Sequence, residues 1–248
     1  MASSLKSVAL IAGAGPGTGG AIARRFGQAY PVVLLARSQS SLDPLVNDIT
    51  QNGGSAIGIP TDVTSTDSMN ATLDQIKDKF GPDLSVSAAI YNVASKFVKK
   101  PFLEQGMDEF LGSLETTTKG AYNFSQASLP LMLGEKPASQ KYPPTLIFTG
   151  ATASLKGGSG LSSFAMSKFG IRALAQSLAR EFGPKGVHVS HAIIDGIIDT
   201  EKTKAFGQGV PDSKISPEQI AEAYWYLHTQ SRTSFTHELD LRPYVETW

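Results

Sequence analysis

The sequence predicts an α/β protein, a doubly wound parallel sheet of seven strands with helices on both faces, built as a single domain over residues 1–248. Two observations predict it. Short apolar runs alternate with helical patterns from end to end, the arrangement in which a parallel sheet is covered on both sides. A chain of 248 residues also suffices to bury a sizeable core without a second domain.

The strand candidates, in order, are Val8 to Ala12, Val32 to Ala36, Ala56 to Pro60, Val86 to Tyr91, Thr145 to Thr149, Val187 to Ile194 and a short one near Leu239. Between them, Met69, Leu73, Ile76 and Phe80 recur at helical spacing after Ser65 and Thr66, either of which could cap the helix. Leu174, Leu178 and Phe182 mark one face of a later helix, and Ser216-Pro217-Glu218 reads as a cap, a first-turn proline and a helix-start acid. Gly134 to Pro144, with Lys136-Pro137 and Pro143-Pro144, reads as an exposed loop. Lys202 to Lys214, within a segment of about 199–215, has the mixed polarity and glycines of a mobile lid. There is no internal repeat.

Composition excludes several classes of function. Lys plus Arg equals Asp plus Glu at 22 each, so no overall field draws nucleic acid or an anionic membrane. The absence of cysteine removes thiol catalysis, disulfides and cysteine-ligated zinc. No stretch approaches the roughly 20 apolar residues of a membrane span. The N-terminus runs straight into the first strand and the last residues, Tyr244 to Trp248, do not form a peroxisomal tripeptide, so a cytoplasmic protein is expected.

Gly13-Ala14-Gly15-Pro16-Gly17-Thr18-Gly19 lies between the first strand and a helix that continues through Ala21, Ile22 and Ala23. Glycine there lets the backbone turn sharply and approach a pyrophosphate, whose charge rests on the free N–H groups of the helix start. The context favours a dinucleotide-binding (Rossmann) loop over a glycine-rich turn without a ligand. The second strand ends Leu34-Leu35-Ala36-Arg37-Ser38. A carboxylate near Ala36 would suit the ribose diol of NAD, whereas Arg37 can pair with a 2′-phosphate and stack on adenine. NADP(H) is therefore the expected cofactor, the alternative being that Arg37 is a solvated surface arginine.

The glycine spacing, together with Phe164-Ala165-Met166-Ser167-Lys168 at the head of a long amphipathic helix, resembles the short-chain dehydrogenase/reductase (SDR) family. That family carries Tyr-x-x-x-Lys at this point. The resemblance covers nearly the whole chain. It implies that Asp62-Val63 contacts adenine, that Asn92-Val93-Ala94 stands for the family's Asn-Asn-Ala-Gly, and that Lys168 binds the nicotinamide ribose. It also implies that Gly196, Ile198 and Thr200, in Ile194-Asp195-Gly196-Ile197-Ile198-Asp199-Thr200, meet the nicotinamide end.

Three of the four groups that the family uses for proton transfer are replaced. Phe164 holds the tyrosine place, Ala151 the serine place thirteen residues earlier, and Thr117 the asparagine place. Only Lys168 remains, with hydroxyls of Thr152 and Ser154 nearby in sequence. Removing a general acid costs ~10² to 10⁴ in rate and losing an oxyanion partner a further ~10² to 10³, so ordinary ketone reduction should be poor. Hydride chemistry belongs to the cofactor, so a substrate with its own activation, an enone or an iminium, needs less from the protein. Ala151, Leu155, Leu161, Phe164 and Ile197 would form an apolar pocket for it.

Asp195 takes the place of the family's proline and joins Lys168 as a catalytic candidate. It could serve as an acid, orient a cationic substrate, or cap the following turn. From Gly186 to Gly196 the chain is one residue longer than the family pattern, which suggests a bulge in that strand. His188 and His191, three apart on a strand, face opposite sides, so no metal site is expected. Lys96, Lys99 and Lys100 form a basic cluster, either a solvated loop or an attraction for an acidic substrate.

The expected function is thus an NADPH-dependent reductase of small molecules with an atypical active site. Two alternatives stay open: a silent NADP(H)-binding sensor or scaffold, and a nonredox isomerase or cyclase. The resemblance implies a homodimer or homotetramer assembled through the Lys168 helix and its predecessor.

Overall fold

The computed structural model describes residues 7–134, 140–207 and 210–246. Among these are the strands β1 (Ser7–Ala12), β2 (Val32–Ala36), β3 (Ala56–Pro60), β4 (Ser85–Tyr91), β5 (Thr145–Thr149), β6 (His188–Ile194), β7 (Ile197–Ile198), β8 (Lys214–Ile215) and β9 (Glu238–Leu241). The helices are α1 (Thr18–Gly27), α2 (Gln39–Gln51), α3 (Thr66–Phe80), α4 (Met107–Leu114), α5 (Gly120–Leu133), α6 (Ser162–Phe182) and α7 (Pro217–His228). Seven strands make one sheet in the order β3-β2-β1-β4-β5-β6-β9, every pairing parallel.

Strand side chains alternate between two cores. Val8, Leu10, Leu35, Tyr91 and Phe148 pack with α3, α5 and α6 on one face. Ala9, Ile11, Leu34, Ile90 and Ile147 pack with α1, α2 and α7 on the other. Strand order reverses between β1 and β4, so a crevice opens at their carboxyl ends, where ligands bind in such sheets. Ser65 is the residue that caps α3, its hydroxyl accepting from Ser68 N at 3.2 Å. Ser216 caps α7 through Glu218 N at 3.1 Å.

Two expectations are corrected. The sixth strand carries no bulge: β6 keeps one continuous register against both β5 and β9, and Ile193 and Ile194 simply run on past the last β5 partner. The sheet's register shift lies instead between β1 and β4, where Ser87 is left without a partner between Val86 and Ala88. The segment before β5 is not wholly an exposed loop. Lys136-Pro137 falls outside the described residues, but Pro143 and Pro144 are buried, because Tyr142 docks edge-on against Trp225 and His228. The proposed lid segment has a stem: β7 pairs with β8, and Asp199 N donates to Ile215 O at 2.9 Å.

All 4 histidines of the chain fall between His188 and His237, at the β6, β9 and α7 side of the sheet. His228 is held by Tyr30 Oη at 2.8 Å and Thr145 Oγ1 at 3.0 Å. Burial pushes it down to about 3 and His191 down to about 4, and also lowers His188. These folded-state values lie below the unfolded one, so the unfolded chain binds the protons first. The stabilisation is whole above about pH 6.5 and is lost as pH falls towards 4. Thermal scans across that range should show a falling Tm; a Tm constant from pH 7 to 4.5 would contradict this account.

Candidate active site

The cofactor end forms where β1 to β4 finish. Gly13 turns the chain at φ +82°, and a Cβ there would lie 2.7 Å from Asn92 O, so only glycine fits. Gly13 N and Ala14 N both donate to Leu35 O, at 2.9 and 3.1 Å, which fixes the loop to β2. No side chain caps α1 at Gly17 and its first turn holds no acid, so its first N–H groups are left for an anion. Gly15, Pro16 and Gly17 reach the surface while Thr18 and Gly19 are buried. Thr200, beyond β7, lies over this loop, its Cγ2 3.0 Å from where a Gly17 Cβ would be.

The other expected contacts line the same sheet edge. Arg37 is exposed at the end of β2 and is the partner of no hydrogen bond or ion pair among the described residues. Asp62 Oδ1 accepts from Thr64 N at 2.9 Å and Thr64 Oγ1 at 2.8 Å. Asn123 Nδ2 holds Val63 O at 2.9 Å. Asn92 ties three strands together: its Oδ1 accepts from Thr149 Oγ1 at 3.0 Å, its Nδ2 reaches Gly13 O at 3.4 Å, and its N bonds Ala12 O. Val93 packs on the core and Ala94 is exposed. These residues fit a nicotinamide dinucleotide: an uncapped helix start follows a turn that only glycine can make, and Arg37, exposed and unpaired among the described residues, follows the neighbouring strand β2.

The chemical end rests on α6. Lys168 is buried and donates from Nζ to Thr149 O at 3.0 Å. No carboxylate pairs with it among the described residues, and burial lowers it to about 8. Its Nζ lies 5.9 Å from the Phe164 ring centroid. Phe164 in turn meets Phe97 edge to face at 5.2 Å and 79°, a contact that sequence reading missed. Phe97 is 59% exposed, so the pair forms an aromatic wall open to solvent. Leu155 and Ile197, two of the expected pocket residues, are exposed, and Leu161 is half-buried. Of the basic cluster, Lys100 pairs with Glu109 at 3.1 Å, and Lys96 and Lys99 are exposed.

The nearby hydroxyls are already engaged. Ser154 Oγ accepts from Ala151 N at 3.1 Å, and Thr152 Oγ1 donates to Asp195 Oδ1. Asp195 does not cap the following turn: its other oxygen pairs with Arg242 at 3.1 Å, so the buried carboxylate locks the β5 loop to the end of β9. Gly196 packs beneath Pro243, and Ile198 covers the α7-side core. Thr117 is buried in a π-helical turn, Glu115–Lys119, with no partner for its hydroxyl among the described residues. His188 stacks on Phe235 while His191 turns to the α6 face and meets Glu238 at 3.1 Å.

Fold and site together define a doubly wound α/β domain with a glycine turn and an uncapped helix start at the carboxyl edge of its sheet. The short chain dehydrogenase family model matches residues 7–210, and the chain belongs to that family. It is similar to a 3-oxoacyl-[acyl-carrier-protein] reductase of Pseudomonas aeruginosa, 30% identical over 198 residues covering 79% of this chain and 76% of that one. An uncharacterised oxidoreductase of Staphylococcus aureus (strain USA300) is 27% identical over 95% of this chain and 96% of its own. Among solved structures, a short-chain dehydrogenase from Rhodopseudomonas palustris is 33% identical, with a TM-score of 0.76, covering 96% of this chain and 99% of its own. The protein is an oxidoreductase of this family.

Proposed function

We propose that the protein is an NADPH-dependent reductase with an atypical active site in which Lys168 supplies the proton. The observation that carries this reading is a buried ammonium, lowered to about 8 by burial, that donates to Thr149 O, has the Phe164 ring 5.9 Å away and pairs with no carboxylate among the described residues. That value lies near the working pH, which suits a group that must both hold and release a proton. An ammonium has three donors, and Thr149 O takes one. When bound, the dinucleotide would supply hydride. Gly13 to Gly19 would hold its pyrophosphate, Arg37 its 2′-phosphate, Asp62 and Val63 its adenine, and Asn92, Val93 and Ala94 its middle. Lys168, Gly196, Ile198 and Thr200 would hold its nicotinamide end.

Charge separates the two substrate classes. A fixed buried ammonium repels an iminium and stabilises the oxygen of an enone as it gains negative charge. Asp195 would have to hold the cation, and its oxygens are taken by Thr152 and Arg242. The enone is therefore the better fit, with Phe97 and Phe164 against its apolar body, and Asp195 positions the loop rather than moving the proton. The engagement of every hydroxyl beside Ala151 favours one second reading, a cofactor-binding protein without turnover. We also place the protein in the cytoplasm as a homodimer or homotetramer, since Tyr122 on α5 and Met166 and Phe169 on α6 present an exposed apolar face.

Calorimetric titration with NADPH, NADH and the oxidised forms, followed by NADPH consumption against enone, imine and ketone panels, tests this reading. Tight NADPH binding with enone turnover is expected. Binding with no turnover of any class would favour the silent protein, and no binding would overturn both. Phe164→Tyr alone should not confer ketone reduction, because Ala151 still leaves the carbonyl unheld. Strong ketone reductase activity from that single change would refute the assignment of roles, for which Ala151→Ser combined with Phe164→Tyr is the control.

A further inference from the structure

Lys168 and Arg172 lie one turn apart on α6. On the same face of the sheet β6 presents His191, wholly buried. His191 Nδ1 is 3.1 Å from Glu238 Oε2. Arg172 clamps the same carboxylate from the other side, Nε to Oε2 and a terminal nitrogen to Oε1, each at 2.8 Å. A carboxylate held by a guanidinium only accepts, so Nδ1 carries the proton and Nε2 keeps a lone pair. That Nε2 is buried and without a partner among the described residues. It fills the space that any side chain on Gly150 would need.

Gly150 follows Thr149, whose carbonyl receives Lys168 Nζ. A buried lone pair and a buried ammonium thus flank one peptide, Thr149–Gly150. The charged groups facing His191 are Lys168 and Arg172 from α6 and Glu238 from β9, and both cations act on the ring through space. Nothing charged comes from β5, which offers Phe148 and Thr149, or from Gly150 after it.

We propose that Arg172, Glu238 and His191 form a positioning array for Lys168, presenting one tautomer-fixed acceptor, His191 Nε2, to the buried ammonium through one water. The array keeps Lys168 protonated at neutral pH. The ring is itself neutral there, since burial holds it well below the usual histidine range. A protonated His191 would add a second cation beneath Lys168 and undo the effect. The catalytic consequence, though not the electrostatic one, rests on the reading of Lys168 as proton donor.

The test is a titration of the full chain carrying 13Cε-labelled lysine, followed by NMR, with the Lys168 resonance assigned by its loss in Lys168→Met. In His191→Phe, which keeps a ring but no lone pair, the Lys168 midpoint should fall by about one pH unit, a tenfold change in its acid dissociation. Glu238→Gln, which frees the tautomer, should move it the same way, and His191→Gln, which keeps an acceptor, should largely restore it. The high-pH limb of enone turnover should follow. An unmoved Lys168 midpoint in folded Glu238→Gln, or in His191→Phe where that variant folds, overturns the proposal. A moved midpoint with an unmoved turnover limb leaves the array standing and overturns Lys168 as the proton donor.

Discussion

Lys168→Met should lower enone turnover by ~10² to 10⁴ in kcat/KM and should at the same time raise the melting temperature near neutral pH. Methionine fills nearly the same volume without the charge. The buried ammonium has one hydrogen bond, to Thr149 O, and no carboxylate within reach among the described residues. Its folded-state value of about 8 lies below the ordinary lysine value of 10.5, so between those limits the unfolded chain holds the proton that the folded chain has lost. This group's contribution therefore becomes more favourable as pH rises from 8 to 10.5, and the charged form is a burden below that window, on the order of 3 kcal/mol at most. A stabilised, inactive Lys168→Met protein, seen by paired thermal scans and NADPH assays, would show that the charge is kept for chemistry. Full activity, or a large loss of stability, would contradict this.

Arg37→Asp should weaken NADPH binding by about 10- to 100-fold, the value of a charge-assisted pair of hydrogen bonds, and should improve NADH binding relative to NADPH. Arg37 is exposed and bonds to no other described residue, so its replacement leaves nothing buried and unpaired. Stability should hardly change. Calorimetric Kd values for both reduced cofactors decide the matter, and an unchanged NADPH Kd would assign Arg37 to the solvent.

What could be read from the sequence was what neighbouring residues determine. The seven strands, the glycine turn, the Ser65 and Ser216 caps and the Phe164 to Lys168 spacing are all local patterns, and the structure places them as expected. The rest depends on contacts between distant segments. Asp195 meets Arg242, His191 meets Glu238 and Phe97 meets Phe164, and nothing in the intervening residues encodes those pairings. The extra residue between Gly186 and Gly196 showed that the path was longer, but a count cannot distinguish a bulge from a strand that runs further, as β6 does. The π-helical turn at Thr117 and the two-residue strands β7 and β8 are too short to leave a periodicity.

The pairing of β7 with β8 bears on how new specificities could arise on this fold. Ile197↔Lys214 and Ile198↔Ile215 fix both ends of the intervening segment. Because closing a longer loop between fixed ends costs only about 0.6 kcal/mol for each doubling of its length, residues between the two strands can be inserted, deleted or exchanged with little penalty to the sheet. Tolerance of that kind would make the residues beyond Thr200 an interchangeable cassette, while Thr200, two residues from the ladder, keeps its place against the glycine loop.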